Sequence, residues 1–173
     1  MSSTNEEFNL SGSEALKSVF RNHASGIAIV TGRDRAGNPI GFTASSVTSL
    51  GSNPPLVSFN IAQGSSSYPH MTKGSKLAIH TLDSQTLHLA QRLAGDRSKR
   101  FDGTESNGPF DVPVFEACPA ILIGEVRERF EVESNAVVVI DVLLASSHEV
   151  PAAPLLYFQR GYHTAGDRLA DNS

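Results

Sequence analysis

The sequence predicts a mainly β domain: a closed or half-closed antiparallel barrel with short peripheral helices. Two observations carry this. Short apolar runs bounded by Gly, Pro, Asn and Asp recur along the chain, at 27–31 (IAIVT), 56–61 (LVSFNI) and 77–82 (LAIHTL), and two long runs at 120–133 and 136–147 follow one another. Helical periodicity is confined to two or three short segments that do not alternate regularly with the strands, which excludes a doubly wound parallel sheet.

The elements follow in order. Ser11 and Glu14 have capping-box spacing, and Leu16, Val19, Phe20 and His23 then recur as one apolar stripe of a first helix, closed by Ser25-Gly26. A strand at 27–31 leads into a breaker-rich hairpin loop at 34–39 (DRAGNP) and a return strand from Ile40 through Phe42 and Thr43. A short strand at 47–50 is followed by a turn at Pro54-Pro55, since neither proline can donate to a ladder, and by the strand at 56–61. Serines 65–67 precede a short helix around 69–73. After the strand at 77–82, Ser84 caps a helix whose apolar face is Leu87, Ala90 and Ala94, with Leu93 beside it. Residues 97–103 read as a polar turn and 104–119 as a long Gly/Pro-punctuated loop. The two long strands meet at Ser134-Asn135, and a last short strand runs over 155–158. Residues 1–10 and 165–173 read as polar tails, leaving one domain over 11–164.

Composition narrows the function classes. The 14 Lys+Arg against 18 Asp+Glu give a formal charge of −4, which argues against nucleic acid and membrane surfaces as partners. A single cysteine, Cys118, rules out an intramolecular disulfide and is read as a buried inert thiol. The N-terminus lacks the basic start and apolar core of a leader, and the longest apolar stretch, 136–145, falls short of the roughly 20 residues of a membrane helix. A reducing cytoplasm is expected. Residues 137–140 are apolar on both faces, and one barrel covers only one of them, so a homodimer is expected.

No G-x-S-x-G, Walker loop, G-x-G-x-x-G or H-E-x-x-H occurs, and the six histidines show no tight ligand spacing, so each is read as structural rather than metal-binding. Two polar stretches stand out instead. Residues 41–49 (GFTASSVTS) place small hydroxyl residues within a barrel strand, where a ligand can approach the backbone; the competing reading is an edge strand facing water. Gly64-Ser65-Ser66-Ser67 opens a helical turn whose N–H groups and hydroxyls suit an anion, with plain capping as the competing reading, and the Ser98-Lys99-Arg100-Phe101 turn supplies a cation.

Taken with Ala24-Ser25-Gly26-Ile27, Asn53-Pro54-Pro55-Leu56-Val57 and the ending Pro154-Leu155-Leu156-Tyr157-x-x-Arg160-Gly161, these stretches give a chain that resembles the short-chain flavin reductases from about Val19 to Tyr162. That family has an FMN-binding split β-barrel, antiparallel with Greek-key connections, and serves two-component flavin monooxygenases. The resemblance implies a homodimer with FMN or FAD at the barrel mouth. It places Thr43, Ala44, Ser45 and Ser46 along the ribityl chain and ring edge, and Asn60, Ile61 and Ala62 as backbone contacts to the isoalloxazine. Ser65 and Ser67 would hold the phosphate, Lys99 or Arg100 would balance its charge, and Phe101 would pack near the ring or support that loop. NADH or NADPH would be the electron donor, with no protein acid or base required. One departure matters: many members carry Gly-Asp-His between the last long strands, where this chain has Glu133-Ser134-Asn135-Ala136. The second reading is therefore a flavin-binding protein without efficient NAD(P)H oxidation, fed by another donor. A third is a split barrel holding another planar ligand such as haem.

Overall fold

The computed structural model describes residues 8–147 and 153–166, so residues 1–7 and 167–173 of the expected tails, and His148, lie outside the described residues. The elements are α1 (Gly12–Arg21), β1 (Ser25–Gly26), β2 (Ala28–Arg33), β3 (Pro39–Ala44), β4 (Thr48–Ser52), β5 (Pro55–Ala62), β6 (Lys76–Thr81), α2 (Leu87–Ala94), β7 (Ser106–Asn107), β8 (Pro113–Val114), β9 (Ala120–Val132), β10 (Asn135–Ser147), β11 (Leu155–Phe158) and β12 (Gly161–Thr164).

Seven strands form one antiparallel sheet in the order β3-β2-β6-β9-β10-β5-β4. Its two edges, β3 and β4, are consecutive in the chain, joined only by Ser45-Ser46-Val47. The sheet thus curls until its edges face one another without zipping shut. The β9–β10 hairpin sits between β6 and β5, giving the Greek-key order, and its long ladder is interrupted by register shifts at Val139/Ile140 and Val142/Leu144. Such bulges bend and twist a strand, as closure requires.

Alternation along the strands decides which side chains fill the barrel. Ala28 and Val30 of β2 point inward to meet Phe59, Ile61, Leu77, Ile79, Val126, Val138 and Ile140. Ile29, on the opposite face, packs with Ile27, Leu89, Leu93, Phe115 and Leu155 in a second core beneath α2 and the 104–119 segment. Strand β2 is therefore buried on both sides, which is why its sequence is apolar without alternation.

His80 belongs to this second core. It is fully buried, its Nε2 accepts the Phe115 N–H at 3.1 Å, and its Nδ1 lies 3.2 Å from the Ile29 carbonyl. The accepting Nε2 puts the proton on Nδ1, and burial lowers the imidazole pKa to about 4, so the ring is a neutral structural bridge. Cys118 is likewise buried, and burial together with the nearby Asp83 charge pushes its thiol up to about 12, an unreactive state.

Several expectations are corrected. Ser11 makes no side-chain cap bond, and α1 buries none of its residues; Leu16, Val19 and Phe20 are exposed. Asp83, not Ser84, opens the second helical segment: its carboxylate accepts the Gln85 and Thr86 N–H groups while the Thr86 hydroxyl accepts the Asp83 N–H. The helix expected around 69–73 is a single 3-10 turn, Tyr68–His70. The 104–119 segment holds the short β7–β8 pair, fastened to the barrel where the Thr31 hydroxyl donates to the Pro113 carbonyl. Strand β12 was not foreseen, because its hairpin turns at Gln159 and Arg160, both at positive φ, where glycine or asparagine would have signalled it.

Candidate flavin cleft

Where β3 and β4 part, a cleft of about 360 Å³ opens. One wall is the end of β3 and its link, Phe42 to Ser46; the floor is Asn60, Ile61 and Ala62 at the end of β5; the far wall is Leu93 and Ala94 at the end of α2, with Ser65 and Arg100 at one end. Thr43, Ala44, Ser45, Ser46, Asn60, Ile61, Ala62, Ser65 and Arg100, scattered in sequence, are thereby brought together.

The hydroxyls differ in what they have left to give. The Thr43 hydroxyl donates to the Ala90 carbonyl at 2.7 Å and so ties β3 to α2. Ser46 Oγ accepts the Asn60 N–H at 2.9 Å and ties the link to β5. Ser45 is exposed at the cleft mouth. Thr43 and Ser46 thus build the walls, and Ser45 is the one of the three whose exposed hydroxyl faces the opening. Small side chains at Ala44, Ala62 and Ala94 leave the backbone of three elements within reach.

The cationic end is built by a 3-10 turn, Arg97–Lys99, which Asp96 opens by accepting the Ser98 N–H at 2.9 Å. Three residues per turn put Arg97 and Arg100 on the same side and Lys99 on another. Arg97 and Arg100 line a recess of about 50 Å³ with Ser66, Ser67 and Phe101, whereas Lys99 is exposed and lines neither cavity. Arg100 is held by two carbonyls, Gly95 at 3.1 Å from Nε and Gly41 at 2.8 Å from Nη1. Burial, and then the charge of Arg97, lower its pKa. Of the two candidate serines, Ser65 lines the main cleft and accepts the Ser67 N–H at 3.3 Å; Ser67 is buried at the back of the recess.

Phe101 sits behind the site. Its ring stacks on Phe115, with centroids 6.0 Å apart, and closes over Gly41, where a Cβ would come within 3.0 Å of the ring and 2.8 Å of the Val30 carbonyl. Gly41 is therefore small because both the β2 backbone and the Phe101 ring crowd it. The contributions of Leu93, Ala94 and Arg97 went unread in the sequence; the i, i+3 spacing of Arg97 and Arg100 was the available signal.

The β9–β10 turn lies beside the same cleft, for the Gln63 N–H donates to the Ser134 carbonyl at 2.8 Å and Gln63 Nε2 to the Glu133 carbonyl at 2.8 Å. Glu133, Ser134 and Asn135 are exposed there, but Ala136 is buried in the barrel core.

Residues 20–166 match the family model described as flavin reductase like domain. The chain belongs to that family. Among flavin reductase-like proteins, the NADH:FMN oxidoreductase of Rhodococcus erythropolis is 36% identical over 152 residues, spanning 85% of this chain and 79% of that one. A flavin reductase domain protein from Arthrobacter sp. FB24 superposes with a TM-score of 0.84 at 35% identity, covering 91% of this chain and 98% of that one. The fold also matches flavin reductase HpaC, solved with NADP+, with a TM-score of 0.80 at 24% identity over 89% of this chain and 98% of that one. A flavin reductase-like chain is therefore mainly β with a split antiparallel barrel, and its split coincides with the cleft.

Proposed function

We propose that this protein is an NAD(P)H-dependent flavin reductase that takes FMN or FAD in the cleft and supplies reduced flavin to an oxygen-using partner enzyme. The observation that supports it most is the polarity gradient along the cleft. A neutral section of small side chains, one presented hydroxyl and accessible backbone suits a flat ring and polyol, and it ends at Arg97 and Arg100, which suit a phosphate.

Bound together, the two nucleotides would supply the chemistry themselves, hydride transfer from the dihydronicotinamide to the flavin ring. The protein's share is positional. Thr43 and Ser46 fix the walls, the cleft excludes water from one face of the ring, and the paired arginines anchor the phosphate end so that the reacting atoms meet in one orientation. The test is anaerobic mixing of the FMN-loaded protein with NADH and with NADPH, followed by loss of the flavin band near about 450 nm. Rapid bleaching with either donor is expected.

A second reading, flavin binding without efficient NAD(P)H oxidation, draws support from the β9–β10 turn. It carries no imidazole, and Ala136, buried in the barrel core opposite Ile61, offers only a methyl group. Slow bleaching with both donors beside tight FMN binding would favour that reading.

We also propose a homodimer. Val137 and Val139 on the outward face of β10 are only half-buried, and Leu143 and Leu144 farther along are 44% and 41% exposed. A partner chain covering them would remove apolar surface on both sides of the Arg127–Asp141 ion pair from water. Sedimentation equilibrium is expected to give twice the chain mass. Among the described residues no helix is long and apolar enough to cross a membrane; a cytoplasmic location is proposed on the single-thiol composition, and a domain spanning 11–164 on the continuity of the core.

A further inference from the structure

The segment that carries Arg97 and Arg100 also carries two aspartates, and the positive end of the cleft depends on where they point. Asp96 is used by the turn itself, accepting the Ser98 N–H and the Ser98 hydroxyl, each at 2.9 Å. Asp102 is the acidic residue nearest to Arg100 in sequence. Yet it is directed to α2: Arg92 Nη1 pairs with Asp102 Oδ2, and Arg92 Nη2 donates to the Thr104 hydroxyl at 3.0 Å. That hydroxyl in turn donates to Asp102 Oδ1 at 2.7 Å, and the Thr104 N–H reaches the same oxygen at 3.2 Å. Both oxygens of Asp102 are thereby occupied, and among the described residues neither Arg97 nor Arg100 has a carboxylate within ion-pair distance. The Arg92 side chain is 19% exposed, its guanidinium carbon lies 5.3 Å from the Phe115 ring centroid, and its Nε is buried with no acceptor among the described residues. An apolar side chain would pack over Phe115 without leaving a buried donor unpaired. The charge of Arg92 is thus costly where it stands, and the charge it answers is that of Asp102.

We infer that Arg92 is a positioning residue for the phosphate end of the cleft: by holding Asp102 and Thr104 against α2 it keeps a carboxylate off Arg100 and preserves the positive charge that tells FMN from riboflavin. The inference rests on the flavin-cleft reading and adds to it the residue that sets phosphate selectivity. Three points support it. A carboxylate beside Arg100 would offset the charge that an incoming phosphate needs, so the desolvation of that phosphate would go uncompensated. Gly103 stands at positive φ between Asp102 and Thr104, so this stretch of chain is readily redirected once its tie to α2 is gone. And Arg92 immediately precedes Leu93 and Ala94, the far wall of the cleft, so one residue fixes the distance between that wall and the arginine turn. Arg92 lines neither cavity, and its effect on a ligand passes through Asp102 and the turn.

The experiment titrates FMN and riboflavin against the full-length protein by flavin fluorescence and reads the ratio of the two affinities, which a general loss of stability or of ring binding leaves unmoved. Arg92→Ala is expected to lower the FMN preference about tenfold, part of what a charge-assisted phosphate contact is worth, with riboflavin affinity within about twofold of the parent. Arg92→Met, which keeps a long side chain over Phe115 but no charge, gives the same fall and serves where the alanine variant does not fold. Asp102→Asn alone is expected to leave the preference within about twofold, and added to Arg92→Ala it restores most of the loss, because the released group is then an uncharged amide. An FMN preference unchanged by Arg92→Ala and Arg92→Met overturns the assignment. So does an Asp102→Asn protein as impaired as Arg92→Ala, with no recovery in the double variant, for the ion pair would then only scaffold the turn. A wild-type protein that binds riboflavin as tightly as FMN removes the phosphate-end reading itself, an outcome seen before any variant is made.

Discussion

Ser46 Oγ accepts the Asn60 N–H at 2.9 Å across the split in the barrel, joining the one link between the two unpaired edges to the strand that floors the cleft. The hydroxyl oxygen also lies 3.4 Å from the Asn60 carbonyl, so both polar groups of that residue meet one side chain. With Thr43 bonded to Ala90, it fixes the width of the cleft from both sides.

Ser46→Ala is accordingly expected to cost about 1 kcal/mol of stability and to weaken FMN several-fold, because the ring-edge wall loses its anchor while no ligand contact is removed. Urea denaturation and fluorescence titration measure the two effects. Stability loss without any change in FMN affinity would separate the anchor from the site.

The two-arginine recess makes a graded prediction. Arg100→Ala should weaken FMN relative to riboflavin by roughly 1–3 kcal/mol, the size of a charge-assisted contact, since only FMN carries the phosphate. Arg97→Ala should move the same ratio by less, its side chain being exposed, and Lys99→Ala should leave it within about twofold. Equal weakening of both ligands by Arg100→Ala would mean that the residue only supports the Gly41 and Gly95 carbonyls.

The buried imidazole sets a pH dependence. The folded-state pKa of His80 is lowered from 6.5 to about 4, so between these values the unfolded chain binds a proton that the folded chain refuses. Its contribution is fully present above pH 6.5 and declines as the pH falls toward 4, by about 3 kcal/mol in all. His80→Gln should be less stable at pH 7 yet show a flatter decline across that window. Parallel pH profiles for the two proteins would assign the acid sensitivity to other groups.

The barrel was legible in the sequence because turn chemistry and burial act locally. Pro54-Pro55, the 34–39 breakers and the unalternating β2 each state their role within a few residues. The site was legible only in part. The structure brings the polar stretches named by resemblance to one cleft, but resemblance could not tell a hydroxyl bonded into a wall, as in Thr43, from one left exposed, as in Ser45. That distinction depends on Ala90, forty-seven residues away. Likewise Arg97 was overlooked for Lys99, because the 3-10 geometry that turns them to different sides comes from the Asp96 cap and not from composition. The stripe on α1 was read correctly as apolar, but helical spacing cannot say whether such a face is covered, and here the chain itself does not cover it.

Gly124 gives the sharpest test of how tightly the β9–β10 ladder is packed. It is buried in β9 opposite Val142, next to the register shift at Val142/Leu144. A Cβ there would lie 2.3 Å from Ile140 Cγ2 and 2.6 Å from the Asp141 carbonyl. Rotation of Ile140 could relieve the first clash, but the second is with backbone, so the ladder itself must shift. Gly124→Ala is expected to destabilise by roughly 1–3 kcal/mol, the usual range for overpacking, which at this chain length lowers Tm by roughly 3–10 °C. Gly64→Ala serves as the control: no heavy atom comes within 4 Å of a Cβ there and its φ is not positive, so the reduced freedom of the unfolded chain should leave Tm unchanged or slightly higher. Calorimetry on both variants decides the matter. A Gly124→Ala protein with the parental Tm would mean that the bulge can slide to accommodate a methyl group, and that the register of this hairpin is softer than its long ladder suggests.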